Sequence, residues 1–299
     1  MFFLVFTLIS CDKDKNANEN KKLKVVATTT MITDLVKQIA GDKVELNGLM
    51  KSGVDPHLYK ATEGDINLFL EADVIFYNGL HLEGKLVELF EKMNKRGGNL
   101  FAISDGIDKS FLITSSNFAN NYDPHIWFDI GLWKKAAEFV ANKLAIIDTT
   151  NKEFYLESLK TYIIKLDSAE NIVKQKVNEL PKEQRILITA HDAFNYFGRA
   201  YDFKVMGLQG ISTLSEASVF DVQNLANFII ENDVKAIFIE TSVPMKNIEA
   251  LRQAVKSKGK EIKIGGELFS DSLGNNDKPE GTYIGMMIYN VNRIVNSLK

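Results

Sequence analysis

The stretch that most limits what this chain can become is Asn151 to Leu180. Its apolar residues fall at Tyr155, Leu159, Tyr162, Leu166, Ala169, Val173, Val177 and Leu180, in steps of three and four that keep one stripe on one side of an α-helix. Thr150 with Glu153 reads as a capping box, and Pro181 forbids helical geometry just before itself, so both ends are marked. At about 1.5 Å per residue the rod is roughly 45 Å long, enough to run the length of a pair of domains. A long amphipathic helix inside one domain has the same periodicity, so the flanking pattern has to decide.

On the amino side, Leu23 to Thr28 (LKVVAT) reads as a buried strand and Ile32 to Ala40 as a helix stopped by Gly41. A strand at Val44 to Met50 leads into the loop Lys51 to His57. A helix at Glu63 to Glu71, a strand at Asp73 to Tyr77, a helix at Gly84 to Met93 and a strand at Leu100 to Ile103 follow. Ser104 to Tyr122 has little period, and Leu132 to Ile147 is a helix. Beyond the long helix, strands at Arg185 to Thr189, Lys204 to Leu208, Ala236 to Glu240 and Glu261 to Ile264 alternate with helices at Asp192 to Arg199, Val219 to Glu231, Met245 to Ser257 and Thr282 to Leu298. Ser215-Glu216 reads as a turn and cap before Val219. Alternation of this kind implies α/β architecture with parallel strands covered on both faces. The expected organisation is a leader and polar tether over 1–22, a first half over 23–148, the linking helix over 149–181 and a second half over 182–299.

Of 299 residues, 45% are hydrophobic and 25% charged, enough for sizeable cores. The net charge is -3 and the basic residues are interleaved with acidic ones, so there is no electrostatic footprint for nucleic acid. The single cysteine, Cys11, excludes an internal disulfide and a thiolate ligand deeper in the fold. Met1 to Ser10 is apolar but too short for an ordinary membrane span, and Leu8-Ile9-Ser10-Cys11 resembles a bacterial lipobox. No Lys or Arg precedes that run, which departs from the usual charged start. Asp12 to Lys22 (DKDKNANENKK) suits a flexible tether between a lipidated cysteine and a folded domain.

The chemistry gathers in a repeated tripeptide. Asp-Pro-His occurs at Asp55-Pro56-His57 and again at Asp123-Pro124-His125, in a chain with only 5 prolines and 4 histidines. Proline restricts its own φ and the residue before it, so each unit is a stiff turn presenting an imidazole from a loop. Metal–nitrogen distances tolerate little error, and rigidity of this kind suits a metal ligand. Asp-Pro is also a common turn starter, but two such turns ending in histidine ask for more than turn chemistry. His191 lies just past the carboxyl end of the predicted strand Arg185 to Thr189, the sheet end where open α/β folds bind ligands. Asp271 follows the last predicted strand; an isolated Asp there also suits a helix cap. Three imidazoles and a carboxylate meeting between the halves would suit Zn²⁺ or Mn²⁺. His81, flanked by apolar residues, is expected at the surface or behind the ligands. Glu240 and Glu267 lie near strand ends, where salt bridging or capping is the plainer role and orientation of a histidine the functional one.

Asp-Pro-His twice, Thr189-Ala190-His191-Asp192-Ala193-Phe194, Gly207-Leu208-Gln209-Gly210-Ile211-Ser212 and Gly266-Glu267-Leu268-Phe269-Ser270-Asp271-Ser272-Leu273-Gly274 together resemble the metal-binding lipoproteins of bacterial ABC importers, the ZnuA/TroA/PsaA family of cluster A-I solute-binding proteins, and TroA-like members most. The resemblance runs from about Leu23 to the C-terminus. It implies two Rossmann-like parallel-sheet domains bridged by one long helix, with a divalent cation in the cleft between them and His57, His125, His191 and Asp271 as its ligands. Manganese-dedicated members resemble one another in a Glu at the third position, where this chain has His191. Zinc-dedicated members often carry a His-rich loop, whereas Ser104 to Tyr122 contains no histidine. The resemblance leaves zinc and manganese both open.

The expected function is an extracytoplasmic, lipid-anchored binding protein, monomeric and not an enzyme, that captures Zn²⁺ or Mn²⁺ and delivers it to an ABC permease with its ATPase. A single stiff helix as the link would restrict motion to a small rock or tilt. Two alternatives belong to other classes. A zinc-dependent hydrolase would keep one coordination position for water and a base beside it. A surface adhesin with an incidental metal would expose a large apolar patch away from the cleft.

Overall fold

A computed structural model describes residues 22–114 and 121–299. The lipobox, Cys11 and the tether up to residue 21 lie outside the described residues, as do residues 115–120 of the segment expected to wander. Among the described residues no helix is long and apolar enough to cross a membrane.

The first half runs β1 (Leu23–Ala27), α1 (Thr30–Ala40), β2 (Val44–Gly48), α2 (Glu63–Glu71), β3 (Val74–Tyr77), α3 (Val87–Lys95), β4 (Leu100–Ala102) and α4 (Ile130–Ile147). Its strands pair in parallel in the order β2-β1-β3-β4. The linking helix α5 (Lys152–Val177) follows. The second half runs β5 (Ile186–His191), α6 (Asn195–Tyr201), β6 (Lys204–Gln209), α7 (Val219–Glu231), β7 (Ala236–Glu240), α8 (Lys246–Ser257), β8 (Lys263–Leu268) and α9 (Tyr283–Leu298). Here β5 pairs with β6 and β7 with β8, both in parallel, and β5 lies beside β7.

Strand side chains alternate between faces, and both faces are buried. Val25 and Ala27 of β1 enter the largest core and Val26 a second one. Leu187 of β5 likewise enters the largest core while Ile188 and Ala190 enter a third. That is why these strands read as unbroken apolar runs. The largest core gathers the inner faces of α1, α4, α5, α6 and α9 with strands of the four-stranded sheet and of the two two-stranded sheets. Phe69 of α2 and Phe90 of α3 cover the four-stranded sheet on its far side, and α7 and α8 cover the strands of the second half. Of the predicted stripe, Tyr155, Tyr162, Leu166, Ala169, Val173 and Val177 of α5 are buried, Leu159 is half-buried, and Leu180 is buried just beyond the helix end. The linking helix is thus part of a continuous inner layer. Swinging the halves apart as rigid lobes would uncover apolar surface at about 25 cal/mol per Å².

Several boundaries differ from expectation. Thr150 and Glu153 do not form a capping box: Thr149–Asn151 is a 3₁₀ turn, and Asp148 serves the helix start, accepting from Asn151 N at 3.3 Å and Tyr155 OH at 2.6 Å. Capping boxes stand instead before α2, where Thr62 and Asp65 satisfy each other's backbone, and before α7, where Ser218 and Asp221 do the same, so Ser215 and Glu216 are not the cap. The strand ending in His191 is longer than expected and α6 begins later. α3 starts at Val87 rather than Gly84, because Gly79, Leu80 and His81 all have positive φ and turn the chain first. The last strand extends to Leu268 through Gly265-Gly266. This pair suggests a loop, but Gly266 has φ 121° and Gly265 lies where a Cβ would meet the Phe238 ring at 2.6 Å.

Candidate metal centre

Of the four residues proposed from sequence, three follow or end a strand, and His125 joins them from the segment before α4. His57 is in the loop after β2, His125 in the segment before α4, His191 is the last residue of β5 and Asp271 lies in the bend after β8. All four are buried and their donor atoms lie within 4.8 Å of one another. The imidazole Nε2 atoms of His57 and His191 are each 3.4 Å from Nε2 of His125. Asp271 offers Oδ2 to His191 at 3.3 Å and to His57 at 3.9 Å, and Oδ1 to His125 at 3.5 Å.

These spacings decide what the cluster suits. A tetrahedral ion with bonds of about 2.05 Å has ligands about 3.3 Å apart, close to the separations seen. Both Asp271 oxygens are buried without a hydrogen-bond partner, which is costly for a carboxylate unless a cation faces it. The donor set, three imidazoles and one carboxylate, is one that borderline transition metals accept.

The rings are aimed by carboxylates behind them. Asp123 Oδ1 is 2.7 Å from His125 Nδ1 and accepts the His125 backbone N–H at 2.9 Å. Glu240 does the same for His191, with Oε2 2.5 Å from Nδ1 and Oε1 accepting the backbone N–H at 2.9 Å. Assigned from these bonds, Nδ1 carries the proton in both rings and Nε2 turns its lone pair to the centre. His57 is set through its backbone, its N–H donating to Asp55 Oδ1 at 2.8 Å. Asp271 is held by its neighbours: Asn290 bonds both backbone groups of Phe269, and Trp127 Nε1 donates to Ser270 O at 2.9 Å.

Protonation follows the same division. Burial pushes His57 down to about 3. Burial also opposes charge on His125, but Asp123 and Asp271 outweigh it and hold the ring up to about 9. His191 is raised well above its ordinary value, burial being overcome by Glu240 and Asp271. Asp271, against the same burial, is held well below the carboxylate range by His191 and His125. In the absence of metal, protons therefore occupy the place of the cation's charge.

His81 is exposed, with φ 63°, and lines a separate surface cavity of about 390 Å³ with Tyr77 and Asp105. Glu267 is exposed on β8 and takes no part. Asp271 caps no helix. Sequence reasoning undervalued Glu240 and missed the ring contact of Asp123; the available signals were Glu240's place at the end of a strand and Asp123's position two residues before its histidine. Glu240→Gln should weaken Zn²⁺ binding about 10- to 100-fold, because an amide in either orientation sets a donor against one of the two His191 donors. Competition with a chromophoric chelator measures this, and an unchanged affinity would remove Glu240 from the site's support.

The chain is 47% identical over 285 residues to the zinc-binding protein TroA of Treponema pallidum, covering 95% of this chain and 91% of that protein. It is 38% identical over 300 residues to the manganese-binding lipoprotein MntA of Bacillus subtilis, covering 100% and 97%. The solved structure of the periplasmic zinc binding protein TroA from Treponema pallidum superposes with a TM-score of 0.90 at 46% identity, covering 93% of this chain and 99% of that one. The model of the family described as zinc-uptake complex component A, periplasmic, matches residues 25–297, and the chain belongs to this ZnuA family.

Proposed function

We propose that this protein is the substrate-binding component of an ABC importer, which captures one Zn²⁺ or Mn²⁺ with His57, His125, His191 and Asp271 and passes it to a permease driven by its ATPase. The observation that carries the reading is the convergence of three imidazole nitrogens on a buried carboxylate whose two oxygens have no other partner. The chain binds rather than catalyses. Glu240 is committed to His191 and Glu267 faces outward, so neither stands where a hydrolase would keep its base.

The metal acts as cargo. Neutral imidazoles are needed to hold it, so capture displaces protons and release is favoured by whatever draws one ligand out of the cluster. The same reading includes a lipid on Cys11 that keeps a monomer on the extracytoplasmic face of the membrane. It treats residues 23–148 and 182–299 as the two lobes, 149–181 as their link and 1–22 as leader and tether.

The test is metal analysis by mass spectrometry of protein beginning after Cys11, purified without added metal and again after incubation with Zn²⁺ or Mn²⁺. One equivalent of either ion is expected. Protein that stays metal-free after both incubations would overturn the transport reading.

A further inference from the structure

The two Asp-Pro-His turns are built alike in one respect and differently in another. In each, one carboxylate oxygen takes the backbone N–H of its own histidine, at 2.8 Å for Asp55 and 2.9 Å for Asp123. In each, the other oxygen crosses to the second half: Asp55 Oδ2 accepts from Thr213 Oγ1 at 2.6 Å, and Asp123 Oδ2 from Asn195 Nδ2 at 3.1 Å. Asp123 also holds the ring of His125, so that imidazole is aimed locally whatever happens across the cleft. Asp55 reaches only the backbone of His57, and the ring follows the turn. The base of this loop is tied down by Ser52 Oγ donating to Leu273 O at 2.7 Å and Gly53 N to Ser272 Oγ at 2.9 Å. Its tip, next to the ligand, has Thr213.

We propose that Thr213 is a positioning residue for the metal: through Asp55 it holds His57 in the ligand cluster and so ties a ligand of the first half to the segment between β6 and α7 of the second. Without its hydroxyl, Asp55 Oδ2 becomes a half-buried acceptor lacking its donor, and the turn relaxes toward water to recover one. His57 moves with it, and it is already the most distant histidine from Asp271, at 3.9 Å. Withdrawal of the β6–α7 segment then frees one ligand without parting the shared inner core. Metal can leave by a local movement where hinge opening of whole lobes would expose apolar surface.

This inference rests on the binding function proposed above, and the experiment separates the two. Co²⁺ is loaded into protein beginning after Cys11, and its visible absorption is followed in a stopped-flow instrument after mixing with excess chelator. Thr213→Val should release Co²⁺ about 10-fold faster or more. Thr213→Ser, which keeps the hydroxyl, should restore most of the slow release, a rescue that general loss of packing would not show. Asp55→Ala retains all four ligands, and on that background Thr213→Val should add nothing, since the pair acts as one unit. Equal release from the parent and Thr213→Val, or full acceleration by Thr213→Val on the Asp55→Ala background, overturns the positioning role. Failure of the parent to take up Co²⁺, and Zn²⁺ and Mn²⁺ as well, overturns the binding function instead.

Discussion

Asp271→Asn is expected to weaken Zn²⁺ binding by at least about 100-fold, because breaking a buried charge pair by removing one partner costs about 3 to 5 kcal/mol. Among the described residues Asp271 is the one anion in direct reach of the three Nε2 atoms, and both of its oxygens are otherwise unpartnered. An asparagine keeps the shape and one carbonyl oxygen but supplies no charge, and its NH₂ would turn a donor toward the cation or a histidine. Thermal melts give a second readout. The parent should gain about 4 kcal/mol at a thousandfold excess of free metal over Kd, and a variant weakened about 100-fold should gain about 1.4 kcal/mol or less at the same concentration. A variant whose affinity stays within threefold of the parent would take Asp271 out of the ligand set.

The second large effect is that of pH. Zn²⁺ affinity should rise about tenfold or more per pH unit from 6 to 8, one proton being displaced for each factor of ten. His125, held up to about 9, still carries its proton across this range in metal-free protein, and His191, raised in the same direction, adds to the slope. His57, pushed down to about 3, is already neutral and contributes none. The sign for folding is opposite in the absence of metal. A histidine whose folded pKa is raised lends stability that is full below its unfolded value of about 6.5 and lost as pH climbs through the folded value. Metal-free protein should therefore lose stability between about pH 6.5 and 9, by roughly 1.4 kcal/mol per unit for one such group. His57 acts below that window, costing stability as pH falls from about 6.5 toward 3. Melts at pH 6.5 and 8.5, with and without Zn²⁺, should show a stabilisation by metal that widens as pH rises. Calorimetry in two buffers of different ionisation enthalpy should count the released protons. A Kd that does not change between pH 6 and 8 would contradict the assignment of protons to these rings.

Much of this was legible in the residues themselves. The stripe from Tyr155 to Val177, the apolar runs of β1 and β5 and the alternation around them determined the α/β class and the long helix, because periodicity records which faces must leave water. The two Asp-Pro-His turns, His191 and Asp271 were recoverable because proline stiffens a loop locally and because a strand end is where such a fold binds ligands. Other features depend on neighbours remote in sequence. Glu240 and His191 are 49 residues apart, and only the placement of β7 beside β5 makes one the orienting carboxylate of the other. Asp55 and Asp123 occupy identical tripeptides, yet one grips its own imidazole and the other reaches Thr213, 158 positions away. The start of α5 differs from the capping-box reading because Thr149–Asn151 folds as a 3₁₀ turn held by the Asp148 side chain, which accepts from Asn151 N. The chain by itself determined which groups could serve a metal, since that is a property of residue type and local stiffness. Only the tertiary structure decided which carboxylate aims which ring and where protons stand in for the cation, since distance and burial set both.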